Sequence, residues 1–115
     1  MTAIQRIGAG ARWSDIVIHA GVARWVEVAE DPSVDTRAQI AQVLEQINLT
    51  LQRVGSRAEL LLEVQIFLAD LNDAPALNAL WDAWVTPGHA PIRACVQAGL
   101  SGNYRIEMIV VAAVE

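Results

Sequence analysis

From Asp35 to Gly55 the apolar residues Ile40, Val43, Leu44, Ile47, Leu51 and Val54 recur at spacings of three and four, which places them on one helical stripe. Asp35 stands where a helix N-cap is needed, and Gly55 where the backbone turns left-handed past the last turn. A second helix is predicted from Asp73 as N-cap with Pro75 in the first turn, through Leu77, Leu80, Trp81, Trp84 and Val85, ending at Thr86-Pro87-Gly88. Between them the period changes to two: Leu60, Leu62, Val64, Ile66 and Leu68 alternate with Leu61, Glu63, Gln65 and Phe67, which predicts a strand. Alternation returns in Ile92 to Ala98 and Arg105 to Val114, and more weakly in Asp15 to His19 and Val22 to Val28. With a first strand near Thr2 to Ile7, the predicted order is β-β-β-α-β-α-β-β.

Two helices cannot cover both faces of such a sheet, so the pattern predicts an α+β layer with both helices on one side and a face left for water or a partner. Placing Ile92, Ala94 and Val96 toward the helices turns Arg93, Cys95 and Gln97 outward, and the same rule makes Glu63, Gln65 and Glu107 exposed or interfacial. Such a face, mixed in polarity, suits subunits that meet over a wet cleft.

Composition narrows the choices. The 115 residues fit one domain, 1–115, with no linker or low-complexity stretch at which to divide it. Eight arginines and no lysine against 13 acidic residues give a net charge of −5 and no basic stripe for a phosphate backbone, so nucleic acid is not an expected partner. One cysteine excludes an internal disulfide and a cysteine-based zinc site, and two distant histidines make a poor metal set, so no metal is expected. The start, MTAIQRIGAG, has no apolar leader core, and no window approaches eighteen apolar residues; the expectation is a soluble, cytoplasmic, unprocessed protein with no membrane partner.

Few residues invite chemistry. Arg93, in the run Pro91-Ile92-Arg93-Ala94-Cys95-Val96, is either a fixed guanidinium able to grip a carboxylate with two hydrogen bonds or an ordinary surface ion pair. Cys95 has no histidine at a suggestive spacing and reads as packing before nucleophile. Glu107 is a charge inside the apolar strand Ile106 to Val114, a placement that must be paired or put to use on water. His19 and His89 read as strand-end and turn residues. Trp81 and Trp84 fall on a core stripe, whereas Trp13 and Trp25 could line a pocket. Gly8 and Gly10 lack the strand and helix that a dinucleotide loop requires.

An ordered set of segments resembles the reactive intermediate deaminase family, also called RidA-like or YjgF-type proteins, over nearly the whole chain. The set is Arg12-Trp13-Ser14-Asp15, Gln39 to Leu44 with Gly55, Ile66-Phe67-Leu68-Ala69-Asp70, Asn78 with Trp81 and Trp84, Pro91 to Val96, and Ile106-Glu107. It looks closest to a short bacterial branch carrying Arg-Trp-Ser-Asp and Trp-Asp-Ala-Trp. The resemblance implies a chorismate-mutase-like α+β fold, a homotrimer with clefts between subunits, and no cofactor. It further implies hydrolysis of reactive 2-enamine or 2-imine acids to 2-oxo acids and ammonium, as in 2-iminobutanoate/2-iminopropanoate deaminases. Carried over position by position, Arg93 matches the arginine that grips the substrate carboxylate, Glu107 the glutamate that positions water, Cys95 a cleft cysteine and Asn78 a nearby asparagine.

Two departures stand out. The family's pocket tyrosine falls on Trp13, and its Ser-Gly pair falls on Val26 and Glu27. A carboxylate at Glu27 within about 4 Å of a bound anion would repel it by roughly 4 kcal/mol at an effective dielectric near 20, unless the strand turns the side chain away. A Glu27–Arg93 pair would leave the anion site self-occupied. That possibility keeps a second reading open, a non-catalytic trimer that binds a metabolite or protein partner.

Overall fold

The computed structural model describes residues 3–115. Strands β1 (Gln5–Ile7), β2 (Ile16–His19) and β3 (Val22–Val28) precede helix α1 (Thr36–Arg53), strand β4 (Leu61–Leu68), helix α2 (Ala74–Trp84) and strands β5 (Ile92–Gln97) and β6 (Ile106–Ala113). This is the expected order; Thr2, at the start of the first predicted strand, lies outside the described residues. One mixed sheet runs β1-β2-β3-β6-β4-β5, antiparallel except for the β4–β5 pair that α2 connects. β6 inserts between β3 and β4, the two strands joined through α1, so the last strand closes the centre of the sheet. The result is the chorismate-mutase-like α+β arrangement.

Both helices pack on one face. Ile40, Val43, Leu44, Ile47 and Leu51 of α1 and Leu77 and Trp81 of α2 are buried against Ala23, Trp25, Val64, Ile66, Leu68, Ile106, Met108 and Val110. Full burial of each aliphatic side chain stabilises by about 1.5–3 kcal/mol. Asp35 caps α1 by accepting from the Ala38 amide, and Gly55 follows the helix with φ 76°, a left-handed backbone that favours glycine. The opposite face carries Val26 and Val96, about half exposed, and Ile92, 70% exposed.

Three local expectations are corrected. In β4 a bulge between Leu61 and Glu63 buries Leu61 and turns Leu62 outward, so the helix face continues from Leu61 to Val64 rather than from Leu62. In β5 the parity is reversed: Arg93 lies beside Val64 and Cys95 beside Ile66, both on the helix side, while Ile92 and Val96 face the open side. Hydrophobicity misled here because β5 is an edge strand whose register follows β4, and α2 offers Arg93 a polar and aromatic seat. Asp73 does not cap α2 with its side chain but pairs with Arg105 at 3.3 Å, and a 3-10 turn over Leu71–Asp73 leads into the helix.

Gln39, in the first turns of α1, is fully buried and ties two loops together, the one before α1 and the one before β6. Its Nε2 donates to the carbonyls of Pro32, Val34 and Asn103 at 3.1, 3.1 and 3.0 Å, and its Oε1 accepts from the Arg105 amide at 2.9 Å. Two N–H bonds serve three carbonyls, so one is shared. The clamp sets where the chain enters β6. Gln39→Ala strands these backbone groups and should lower unfolding stability by about 2–3 kcal/mol, read as a lower urea midpoint with unchanged slope. Gln52→Ala, an exposed change on the same helix, should stay within about 0.5 kcal/mol; equal losses from both would contradict the clamp.

Candidate functional site

Arg93 rises from the β5 edge toward α2. Its Nη2 donates to Asn78 Oδ1 at 2.7 Å, and its guanidinium carbon lies 5.2 Å from the centre of the Trp81 ring. Asn78 and Trp81 are three residues apart on α2 and so share a face. Trp84 packs beside Trp81 with ring centres 5.2 Å apart and donates from Nε1 to Asn48 of α1 at 2.9 Å, which ties the seat to the first helix. The ion pairs among the described residues join Arg57 to Glu59 and Glu115, and Arg105 to Asp73; Arg93 belongs to none. The guanidinium is thus oriented by neutral partners and left with unspent charge. Cys95 lies two residues on, half-buried on the same face. Burial pushes its thiol pKa up, and the nearby Arg93 pulls it back only in part. The sulfur is therefore protonated at neutral pH.

The other expected residues gather at a notch near the far edge of the sheet. β2 pairs with β3 only as far as Ile16 opposite Trp25, so the next residues of β3 have no strand beside them on that side. Side chains from both sheet faces therefore border the same space. The loop between β1 and β2 folds over it, with the Gly10 amide donating to the Trp13 carbonyl at 2.8 Å. Gly8 permits this fold: at φ 64° it lies so close to Asp15 that a Cβ would strike the carboxyl group. The resulting cavity, about 650 Å³, is lined by Trp13, Val26, Glu27 and Glu107, together with Asp15 and Arg53. Trp13 is 71% exposed, and Trp25, though buried, lines the same cavity, as expected of both. Glu107 lies on the open face between Val28 and Phe67.

Glu27 points to the helix side. Its Oε1 accepts from Trp25 Nε1 at 3.0 Å and from the Thr50 hydroxyl at 2.7 Å, and its Oε2 accepts from Gln46 Nε2 at 3.0 Å. The expected pair with Arg93 does not form within a chain. β6 and β4 lie between β3 and β5, a separation of roughly 14 Å at the usual strand spacing. The structure therefore brings Arg93, Asn78 and Cys95 together at one edge and Trp13, Val26, Glu27 and Glu107 together at the notch, without joining the two groups in one chain. Sequence reasoning missed Trp81 as the seat of Arg93 and Thr50 and Gln46 as holders of Glu27. Spacing from Asn78 could have suggested the first; the other two depend on how α1 crosses β3. Among the described residues no group of three or more His, Cys, Asp or Glu could hold a metal, and no helix is long and apolar enough to cross a membrane.

Thiol alkylation checks the electrostatics of the Arg93 seat. The rate at Cys95 should rise with pH through a midpoint above that of an ordinary thiol, and Arg93→Ala should move it higher, because the guanidinium favours the thiolate. A midpoint at neutral pH, or a downward shift in Arg93→Ala, would contradict this arrangement.

Comparison with known proteins matches the arrangement closely. A family model described as Endoribonuclease L-PSP covers residues 3–114. The chain is 48% identical over 112 residues to the RutC family protein YoaB of Escherichia coli, covering 96% of this chain and 98% of that one. It is 34% identical over 88 residues to a 2-iminobutanoate/2-iminopropanoate deaminase of Salmonella typhimurium, covering 74% of this chain and 66% of that protein. A crystal structure of a YjgF family member from Neisseria meningitidis superposes with a TM-score of 0.90 at 35% identity, over 98% of this chain and 96% of that one.

Proposed function

Because the chain belongs to the Endoribonuclease L-PSP family, the RidA-like family of YjgF and RutC proteins, we propose that it hydrolyses 2-enamine or 2-imine acids to 2-oxo acids and ammonium, in the cytoplasm, as a homotrimer. The observation that carries this reading is the Arg93 guanidinium, fixed by Asn78 and Trp81 and joined to no carboxylate among the described residues. A group so oriented is ready for an anion from outside the chain, and a planar carboxylate fits its two-donor edge. The open sheet face, with its exposed Val26, Ile92 and Val96, supports assembly. Three sheets facing inward would bring Arg93 of one subunit toward the notch of the next.

In that cleft the imine carbon is already electrophilic, so the protein's task is to orient the acid, hold one water and move protons. Arg93 anchors the carboxylate. Glu107 holds the water and takes its proton as the oxygen bonds to C2. Glu107 passes that proton to the imine nitrogen, giving a carbinolamine. Its hydroxyl proton then moves to the nitrogen as the C2=O double bond forms and the C2–N bond breaks, and the released ammonia takes a proton from water to become ammonium. Cys95 packs beside Arg93, and Trp13 covers the notch. RNA cleavage, the activity in the family model's description, finds no basic stripe in a chain of net charge −5. A second reading, a non-catalytic module that binds a metabolite or protein partner, is favoured by Glu27, which adds a charge where the family has a glycine.

Added to a running threonine dehydratase, the protein should speed release of 2-oxobutyrate. Arg93→Ala should lower kcat/KM by about a hundredfold or more. Glu107→Gln should lower kcat by roughly 10²–10⁴ with little change in KM. No acceleration by the unaltered protein would reject the deaminase reading and leave the binding module.

A further inference from the structure

Glu27 repeats, with opposite sign, what makes Arg93 notable. Its carboxylate is held by an indole N–H, a hydroxyl and an amide, all neutral donors. It belongs to no ion pair among the described residues, and Arg53, the one guanidinium lining the same cavity, is not paired with it. Three hydrogen bonds fix the carboxylate in place while its charge stays uncompensated. The notch opens round the unpaired edge of β3, so Val26 on the open face and Glu27 on the helix face line the same cavity. A ligand whose reacting carbon lies by Glu107 can therefore extend past the strand edge to Glu27.

We propose that Glu27 is a specificity-determining residue that selects 2-imino acids carrying a cationic side chain, with the guanidinium or ammonium group against Glu27 and the carboxylate on Arg93 of the neighbouring subunit. The inference rests on the deaminase reading for the reaction but concerns which acids the site takes. The continuity of the cavity supports it: Glu107 on β6 and Val26 and Glu27 on the two faces of the neighbouring β3 all line it, so an extended side chain on the bound acid has an open course from Glu107 to Glu27. Trp13, largely exposed at the rim, offers a ring face along which such a stem or its cation can lie. An apolar side chain would instead leave the Glu27 charge facing a dry, unmatched group, and an anionic one would be repelled.

The test uses 2-imino acids made in place by an L-amino acid oxidase from arginine, leucine and glutamate, with their lifetimes followed as semicarbazone formation. The arginine-derived imine should be cleared with kcat/KM at least about tenfold above the leucine-derived one, and the glutamate-derived imine should be the poorest. Glu27→Gln should bring the arginine-to-leucine ratio to near one. A merely structural role for Glu27 would lower all three rates together and leave the ratio unchanged. Equal rates, a preference for the glutamate-derived imine, or a ratio unaffected by Glu27→Gln would overturn the inference. Tryptophan fluorescence on binding 5-guanidino-2-oxopentanoate or 4-methyl-2-oxopentanoate tests the selection without turnover. Preferred binding of the guanidino acid, lost in Glu27→Gln, with no imine hydrolysed would sustain the inference and reject the deaminase reading; equal binding would reject the inference alone.

Discussion

Two helices can bury one face of a six-stranded sheet and no more, and most of this structure follows from that limit. The buried stripe of α1 and the Leu77–Trp81 face of α2 account for the core, and the other face is left with valines and an isoleucine in the open. Because the helical layer covers one side only, a residue's function depends on its parity along the strand. Glu107 and Val26 look outward, whereas Arg93 and Cys95 on β5 and Glu27 on β3 look toward the helices, with β6 and β4 between them. In the function proposed above, the open face brings copies of the chain together, and Arg93 on the β5 edge and Glu107 on the central β6 supply the chemistry.

The charge that anchors the proposed substrate and the one proposed to select its side chain are both held by groups that orient without neutralising. Asn78 and Trp81 do this for Arg93, and Trp25, Thr50 and Gln46 for Glu27. A salt bridge within the chain would orient each side chain equally well but would satisfy its charge, leaving less to offer a ligand. Neutral donors and an aromatic face fix direction while the electrostatic demand persists. Gln39 contributes at one remove, since its clamp on Asn103 and Arg105 sets the entry of β6 and hence the row in which Glu107 sits.

The fold was legible because periodicity is a local signal of burial. The α1 stripe, its Asp35 cap and the alternation of β6 all emerge as the spacing dictates. Legibility failed where tertiary contact overrides the local pattern. The bulge at Leu61 and Glu63 reverses parity within one strand, and β5 reads as though Ile92 were inside because nothing in its own residues reveals that α2 offers Arg93 a ring and an amide. Asp73 looks like a cap until Arg105, distant in sequence, claims its carboxylate. Resemblance to a family singled out Arg93, Asn78, Cys95 and Glu107 together, but which of them meet in one chain depends on strand order. The direction of Glu27 depends on partners in α1, and a single sequence contains no sign of either.

The central claim is that each chain carries two halves of different sites, so that a complete site needs Arg93 from one subunit and Glu107 from its neighbour. Complementation tests it most directly. Chains carrying Arg93→Ala and chains carrying Glu107→Gln, each inactive alone, are co-refolded in equal amounts and assayed for imine hydrolysis. In a cyclic trimer every mixed assembly has one cleft with both native residues, and random mixing makes three quarters of the assemblies mixed, so about a quarter of the unaltered activity should return. No recovery from a mixture shown to contain hybrid trimers would contradict the claim, because it would mean that both residues serve the same cleft from one chain.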